Sequence, residues 1–505
     1  MATPDLVKTG ITGLDAILAG GIPRDNLTLL EGNIGSGKTT LGIEFVYRGA
    51  LQFGEPGIIV LFEVAPDKIV RDAAQLGWDL PMLERLGTLK IIFTTRQVFA
   101  HEWQQTDSVL LDEAIKLGAR RMFVDGIPGA SDPLENGGHL SARDTFRMLA
   151  DGLQRAHLTA VLAMEATGFS ERQRAALPEE SLADTVIHLR MEEMTRATVR
   201  SLEIVKSRGR PFQMGRHTFR IVDGFGVQVY RRVQAPRQTR DDSAAFDPTT
   251  RITTGVPGLD PLVNGGYLLG STTVVAGISG VGKSVMGLHY LAEGARLGQR
   301  SLMFSLDEPV RQIVRNANSI GIDLQALIDS GTVRVQYDTP QEIELDPHFS
   351  GIEQVMADFK PTRVLFDSLS TYGSNLGTGG RTFRDFFHAL VALMKECQAA
   401  TVYNHENPEM LGMASMMGDF HMSSLIDNIL LMNWIEIGDA FRLGLTVAKM
   451  RANPNMRATN ECEILDGEGM RVLPRQIPAQ LVRPFSSYLN LISRNPTRSA
   501  DPAQT

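Results

Sequence analysis

Short apolar runs, each closing on a glycine or an acidic residue, alternate along this chain with longer amphipathic stretches. LTLLEG, GIIVLFE, RMFVDG and LTAVLAME have this form in the first half, and TTVVAG, RSLMFSLDE, TRVLFDS and AATVYNHE in the second. Such runs have the length of buried strands, and stretches such as TTLGIEFVYRGALQFG between them have the length and periodicity of helices. The alternation predicts an α/β fold in which a mainly parallel sheet carries helices on both faces.

The pattern occurs twice. Residues 7–39, VKTGITGLDAILAGGIPRDNLTLLEGNIGSGKT, are repeated as ITTGVPGLDPLVNGGYLLGSTTVVAGISGVGKS at 252–284. Gly10, Gly13, Leu14, Asp15, Gly20, Gly21, Gly32, Gly37 and Lys38 recur without a gap, each 245 positions later (255 − 10; 283 − 38). A duplicated domain explains this register. The expected organisation is a first domain over 1–233, a polar linker over 234–250, a second domain over 251–490 and a short tail over 491–505.

Each copy opens on a phosphate-binding loop. Gly32-Asn33-Ile34-Gly35-Ser36-Gly37-Lys38-Thr39 and Gly277-Ile278-Ser279-Gly280-Val281-Gly282-Lys283-Ser284 both follow a strand and precede a helix. Glycines at these places let backbone N–H groups turn around phosphates at a helix N-terminus. Lys38 and Lys283 are expected to reach the β- and γ-phosphates of ATP, and Thr39 and Ser284 to hold Mg²⁺, with Thr40 and Val285 next along each loop. Two such units in tandem resemble RecA-like P-loop NTPase domains.

Further candidates fall at matched places. Asp125 ends RRMFVD and Asp367 ends TRVLFD, where a Mg²⁺-linked carboxylate is expected. Glu63 and Glu308 each lie 25 positions after their P-loop lysine (63 − 38; 308 − 283), and Asp307 adjoins the second; these acids are candidate general bases. Lys206 with Arg208, and Lys449-Met450-Arg451, follow strand-like runs, so each cation pair projects to one side and could reach a phosphate in a neighbouring subunit.

Composition narrows the setting. Fifty basic against 58 acidic side chains leave a net charge of −8, which argues against a dedicated nucleic-acid binder. Two cysteines, Cys397 and Cys462, exclude a disulfide framework, and no signal peptide or membrane-length apolar stretch is present, so a cytoplasmic location is expected. His405 and His421 lack the spacing of metal ligands.

The GLD segment before each P-loop, the acidic strand end, VRNANSIGID, FKPTRVLFDSLS, the KSR and KMR strands and a late ISRNPTR together resemble the KaiC family of circadian-clock ATPases and autokinases. That resemblance covers nearly the whole chain. It implies a homohexamer of two stacked rings with ATP between subunits, and a signalling timer as the role. It also implies autophosphorylation at Ser423 and Ser424 in DFHMSSLIDN, which on its own reads as a helix N-cap. Asp307 and Glu308 are then the acidic pair, Asp307 also standing near the metal, and Arg384 the arginine that pairs with the phosphorylated product. The sequence departs from the family pattern in its Ser-Ser pair, in Glu63-Val64, in Gly126 after the strand-end aspartate and in Ile320. It also stops soon after ISRNPTR, so regulation by KaiA is not expected, whereas a KaiB-like partner is. A RecA-type DNA-acting motor and an ATP-binding scaffold with little catalysis share the P-loops and stay open at this point.

Overall fold

The computed structural model describes residues 5–102, 109–127, 142–166, 178–193, 198–235, 249–340, 343–376, 381–406, 424–437, 440–451 and 458–477. The chain divides into two compact units, Met1–Arg232 and Val233–Thr505. Each contains a nine-stranded sheet with the same strand order. In the first, the P-loop strand Leu27–Gly32 lies between Thr159–Glu165 and Thr185–Glu193 and runs parallel to both. Arg121–Ile127, Gly57–Leu61 and Leu89–Phe93 extend the parallel part outward. In the second, Thr272–Gly277 is flanked in the same way by Ala400–Glu406 and Asn428–Ile437.

The apolar runs of the sequence correspond to these parallel strands. Every residue of Leu27–Gly32 and of Thr272–Gly277 is buried, because helices cover both faces. The other edge of each sheet is antiparallel, which the run pattern did not predict. Thr198–Ser207, Arg216–Val222 and Gly226–Tyr230 form it in the first unit, and Ala440–Met450, Thr459–Leu465 and Gly469–Ile477 in the second. Thr198–Ser207 mixes buried with exposed positions, so its sequence gives no continuous apolar run.

The helix after each P-loop, Lys38–Gln52 and Lys283–Arg296, lies close against the sheet. A Cβ on Gly42 would stand 2.0 Å from the Phe123 ring, and one on Gly287 2.6 Å from Leu365. One helical turn pair further on, Gly49 and Gly294 leave room for the buried stems of Arg121 and Arg363. Arg121 donates to the carbonyls of Phe45 (2.9 Å) and Lys8 (2.8 Å) and to Glu55 (2.8 Å). Arg363 donates to the carbonyls of Thr253 (2.6 Å) and Tyr290 (3.2 Å) and to Gln299 (2.8 Å). Each guanidinium therefore ties the N-terminal segment of its unit to the P-loop helix.

A second tie uses different chemistry in the two copies. Glu44, on the first P-loop helix, accepts from the Val227 N–H at 2.7 Å. Its counterpart His289, 245 positions on, accepts from the Met470 N–H at 2.9 Å. Burial pushes the Glu44 carboxyl up to about 7, and burial lowers the pKa of His289. The two shifts act on stability with opposite signs. Glu44 holds its proton more tightly folded than unfolded, so its contribution is complete below pH 4.5 and is lost as pH rises through about 7. His289 binds its proton more weakly folded, so its contribution is complete above pH 6.5 and is lost on acidification. Calorimetric unfolding across this range tests both. Glu44→Gln should flatten a decline of about 3 kcal/mol in first-unit stability between pH 4.5 and 7. His289→Gln should remove part of the acid-side loss in the second unit. Unchanged slopes in both variants would show that other groups govern the pH profile.

Candidate nucleotide site

Both P-loops sit at the C-terminal end of the central strand, where strand ends open a crevice in parallel sheets. Gly35, Gly37, Gly280 and Gly282 take φ values of 76°, 97°, 80° and 90°, the left-handed region that favours glycine. Gly37 and Gly282 are the N-caps of the following helices, so the loop turns its backbone toward the helix start. Ser36 and Val281, at equivalent loop positions, are fully buried and fix the loop from beneath. Gly32 and Gly277 end the strands themselves; a Cβ on either would meet the neighbouring strand's carbonyl, of Leu189 or Met432. Thr40 and Val285 are half-buried in the first helical turn.

The lysines arch back over their loops. Lys38 donates to the carbonyls of Gly32 (2.7 Å) and Asn33 (2.9 Å), and Lys283 to those of Gly277 (2.9 Å) and Ile278 (2.8 Å). Burial lowers the pKa of both, and nearby carboxylates oppose the shift. The foremost of these are Glu165 and Glu406, two residues that sequence reasoning passed over. Each ends the strand beside the P-loop strand, in register with Gly32 and Gly277 respectively. The signal was available, since LTAVLAME and AATVYNHE both close on glutamate at the end of a strand-like run.

Asp367 is the last residue of the strand Arg363–Asp367, whereas Asp125 lies two residues before the end of Arg121–Ile127; both reach a P-loop hydroxyl. Thr39 donates its hydroxyl to Asp125 at 2.9 Å, and Ser284 is hydrogen-bonded to Asp367. Burial raises both carboxyl pKa values, while the hydroxyl bonds hold them down. The structure thus brings lysine, hydroxyl and aspartate together in both copies.

The candidate acids are held differently. Glu63 is exposed and salt-bridged to Arg96 at 2.5 Å, and Arg96 also donates to the Gly126 carbonyl at 2.8 Å. In the second copy no cation takes that role among the described residues. Glu308 accepts from the Asn316 amide at 3.0 Å, and Asp307 accepts from the Thr371 hydroxyl. Thr371 in turn contacts Ser368 at 3.1 Å, the hydroxyl that follows Asp367 where the first copy has Gly126.

The KaiC ATPase family model matches residues 7–234 and 252–477. The chain belongs to the KaiC family. It is 30% identical to the circadian clock oscillator protein KaiC of Picosynechococcus sp., over 98% of this chain and 93% of that protein. It is also 30% identical to KaiC of Thermosynechococcus vestitus, over 97% and 92%, and 28% identical to circadian clock protein KaiC3 of Synechocystis sp., over 98% and 95%. It is accordingly a KaiC-family ATPase with tandem RecA-like domains. Among the described residues, no helix is long and apolar enough to cross a membrane.

The cation pairs of this KaiC-family chain bind its own backbone. Lys206 donates to the carbonyls of Glu180 (2.9 Å), Ser181 (3.0 Å) and Ala183 (2.7 Å), and Arg208 to that of Ser181 (2.8 Å). Lys449 donates to the Ile426 carbonyl at 2.7 Å, Arg451 to the carbonyl of Ser424, and Met450 between them is buried. Both cations of a pair do reach the same segment, as strand alternation requires. Ser424 is exposed in a turn; Ser423 and His421 lie outside the described residues. Beyond Ser424 the chain enters the strand Asn428–Ile437, so the helix N-cap reading does not hold. NILLMNWIEI pairs with the P-loop strand, and that burial decides its conformation. Arg384 is exposed on the helix Arg381–Glu396.

The hydroxyl–aspartate bond has a measurable consequence without any nucleotide. Thr39→Val strips the desolvated Asp125 carboxylate of a donor and should destabilise the first unit by about 1–3 kcal/mol in urea unfolding. Thr39→Ser should restore most of that loss. Equal stability of the valine variant would show the bond to be energetically idle.

Proposed function

We propose that this chain is an ATP-binding and ATP-hydrolysing homohexamer that autophosphorylates on Ser423, Ser424 or both, and serves as a circadian or stress-signalling timer. ATP would lie between adjacent subunits, and a KaiB-like protein is the expected partner. The observation that carries this reading is the second copy's site. There Lys283, Ser284 and Asp367 converge, and two acids, Asp307 and Glu308, stand beside them on neutral hydrogen-bond donors.

The residues present fit Mg²⁺ and a phosphate chain. The left-handed glycines shape the loop, the desolvated lysines offer a charge, and the hydroxyl–aspartate pairs offer hard oxygen ligands. Thr39 with Asp125, and Ser284 with Asp367 and Asp307, would hold Mg²⁺, which when bound neutralises charge on the phosphates. Gly32, Gly35, Ser36 and Gly37, and Gly277, Gly280, Val281 and Gly282, would form the phosphate cradles. Glu63 in the first copy would take a proton from the attacking water, and Glu308 or Asp307 in the second from the attacking serine hydroxyl. Lys206, Arg208, Lys449 and Arg451 would turn from their carbonyls toward a neighbour's phosphates on assembly. Arg384 would pair with the phosphoserine.

A second reading applies to the first domain alone, as a ring that binds ATP for assembly and hydrolyses it slowly. The Arg96–Glu63 salt bridge favours it, since it ties the candidate base to Arg96 rather than leaving it to orient a water.

Incubation with Mg²⁺ and γ-labelled ATP, followed by peptide mapping, tests the main proposal. Label on Ser423 or Ser424 that disappears in Lys283→Ala is the expected outcome. Hydrolysis with no label would withdraw the kinase reading and leave a tandem ATPase. In a Lys283→Ala background, Arg96→Ala should speed the remaining hydrolysis by up to about five-fold, the scale of one exposed ion pair. No change in rate would remove the case for a restrained first domain.

A further inference from the structure

Beneath the first P-loop, three metal-ligating side chains converge that the nucleotide site does not use. Glu31 is the last residue before Gly32, and His188 is its register partner on the neighbouring strand Thr185–Glu193. Glu180 comes from the short helix Pro178–Leu182. The His188 Nε2 atom lies 3.1 Å from a carboxylate oxygen of Glu31 and 3.1 Å from one of Glu180. One ligand atom from each residue lies within 4.8 Å of the other two.

The fold does not require this set. Glu31 corresponds by register to Ala276 in the second copy, and His188 to Leu431, both beside the second P-loop strand. Two apolar side chains thus fill the same place in an otherwise matching sheet. In the first copy the Glu31 and His188 side chains are 1% and 7% exposed, and that of Glu180 17%, so two carboxylates face each other in a nearly dry space. A ring nitrogen carries at most one hydrogen, whereas a divalent cation satisfies all three donors at once and replaces carboxylate repulsion with shared attraction. Tetrahedral zinc, with bonds near 2.0–2.2 Å, places its donors about 3.4 Å apart, close to the two histidine-to-carboxylate spacings found here.

We propose that Glu31, His188 and Glu180 form a binding site for a divalent transition cation of the Zn²⁺ type. One imidazole and two carboxylates are ligands that suit such an ion. The partly exposed Glu180 side is the route of entry. The support around the ligands is built: Lys206 holds the Glu180 carbonyl at 2.9 Å and those of Ser181 and Ala183, fixing the short helix against the sheet. The ion would clamp this helix and two strands together one residue from Gly32, whose carbonyl receives Lys38.

Full-length protein, stripped with a chelator, is titrated with Zn²⁺ against a chromogenic competitor. Excess Mg²⁺ and ADP are present to occupy the P-loops. Wild type should bind one Zn²⁺ per chain, with a rise in the melting temperature of the first unit. Glu31→Ala/His188→Leu, which installs the residues of the second copy, should lose both the stoichiometry and the shift. Glu180→Gln, altered on the accessible side, should bind about ten-fold or more weaker even if the double variant fails to fold. Wild-type stoichiometry and affinity in Glu180→Gln, or in a folded double variant, would overturn the assignment, as would a wild type that takes up no Zn²⁺.

Discussion

The closeness of the P-loop helix to the sheet governs each domain. A Cβ on Gly42 would lie 2.0 Å from the ring of Phe123, so helix and strand meet at a distance no larger residue allows. That approach brings the helix N-terminus, with Lys38 and Thr39, within reach of a strand-end carboxylate. Thr39 meets Asp125 at 2.9 Å because the helix starts low over the sheet. Gly49 continues the same constraint one layer down, where the Arg121 stem fills the space a side chain would occupy. A buried guanidinium is costly unless every donor is used, and here it binds carbonyls from the helix and from the N-terminal segment. Packing and phosphate-site geometry therefore have one origin.

The same constraint is met twice with different side chains. Arg121 carries a salt bridge to Glu55, whereas Arg363 bonds the neutral Gln299. Glu44 and His289 accept the same kind of backbone N–H but titrate in opposite senses. Duplication has kept the hydrogen bonds and let the charges drift. A neutral acceptor and an ionisable one serve equally at one pH, so only pH dependence distinguishes them.

Much of this was legible in the sequence because backbone geometry demands particular residues there. The two P-loops, the strand-end aspartates and the parallel strands could be read from spacing and burial. Glycine is the residue that takes a left-handed φ without strain, and short apolar runs between helices pack in few ways besides a buried sheet. The antiparallel edge was not legible, because half-exposed strands such as Thr198–Ser207 lack a continuous apolar run. Glu165 and Glu406 were visible as letters but not as site members; only register with Gly32 and Gly277 assigns them to the loop. Glu31, His188 and Glu180 were hidden for the same reason. Glu31 is far in sequence from the other two, and a lone glutamate within LTLLEG reads as an interruption of a strand. The conformation after Ser424 was misread because two serines before an apolar stretch satisfy an N-cap pattern, while pairing with the P-loop strand decides otherwise.

The cation pairs are held within each domain. Lys206 and Lys449 are half-buried amines whose pKa burial lowers, followed by the repulsion of Arg208 and Arg451. Carbonyl oxygens and the carboxylates of Asp184 and Asp427 answer that charge, and Arg451 pairs with Asp427 at 3.2 Å. The segment that now receives these donors carries Ser424 in the second domain and Ser181 in the first. Under the proposed function, turning these cations toward a phosphate would also release that segment. The distance is short, because each serine lies in the turn or short helix that leads into the strand paired with the one bearing Lys206 or Lys449.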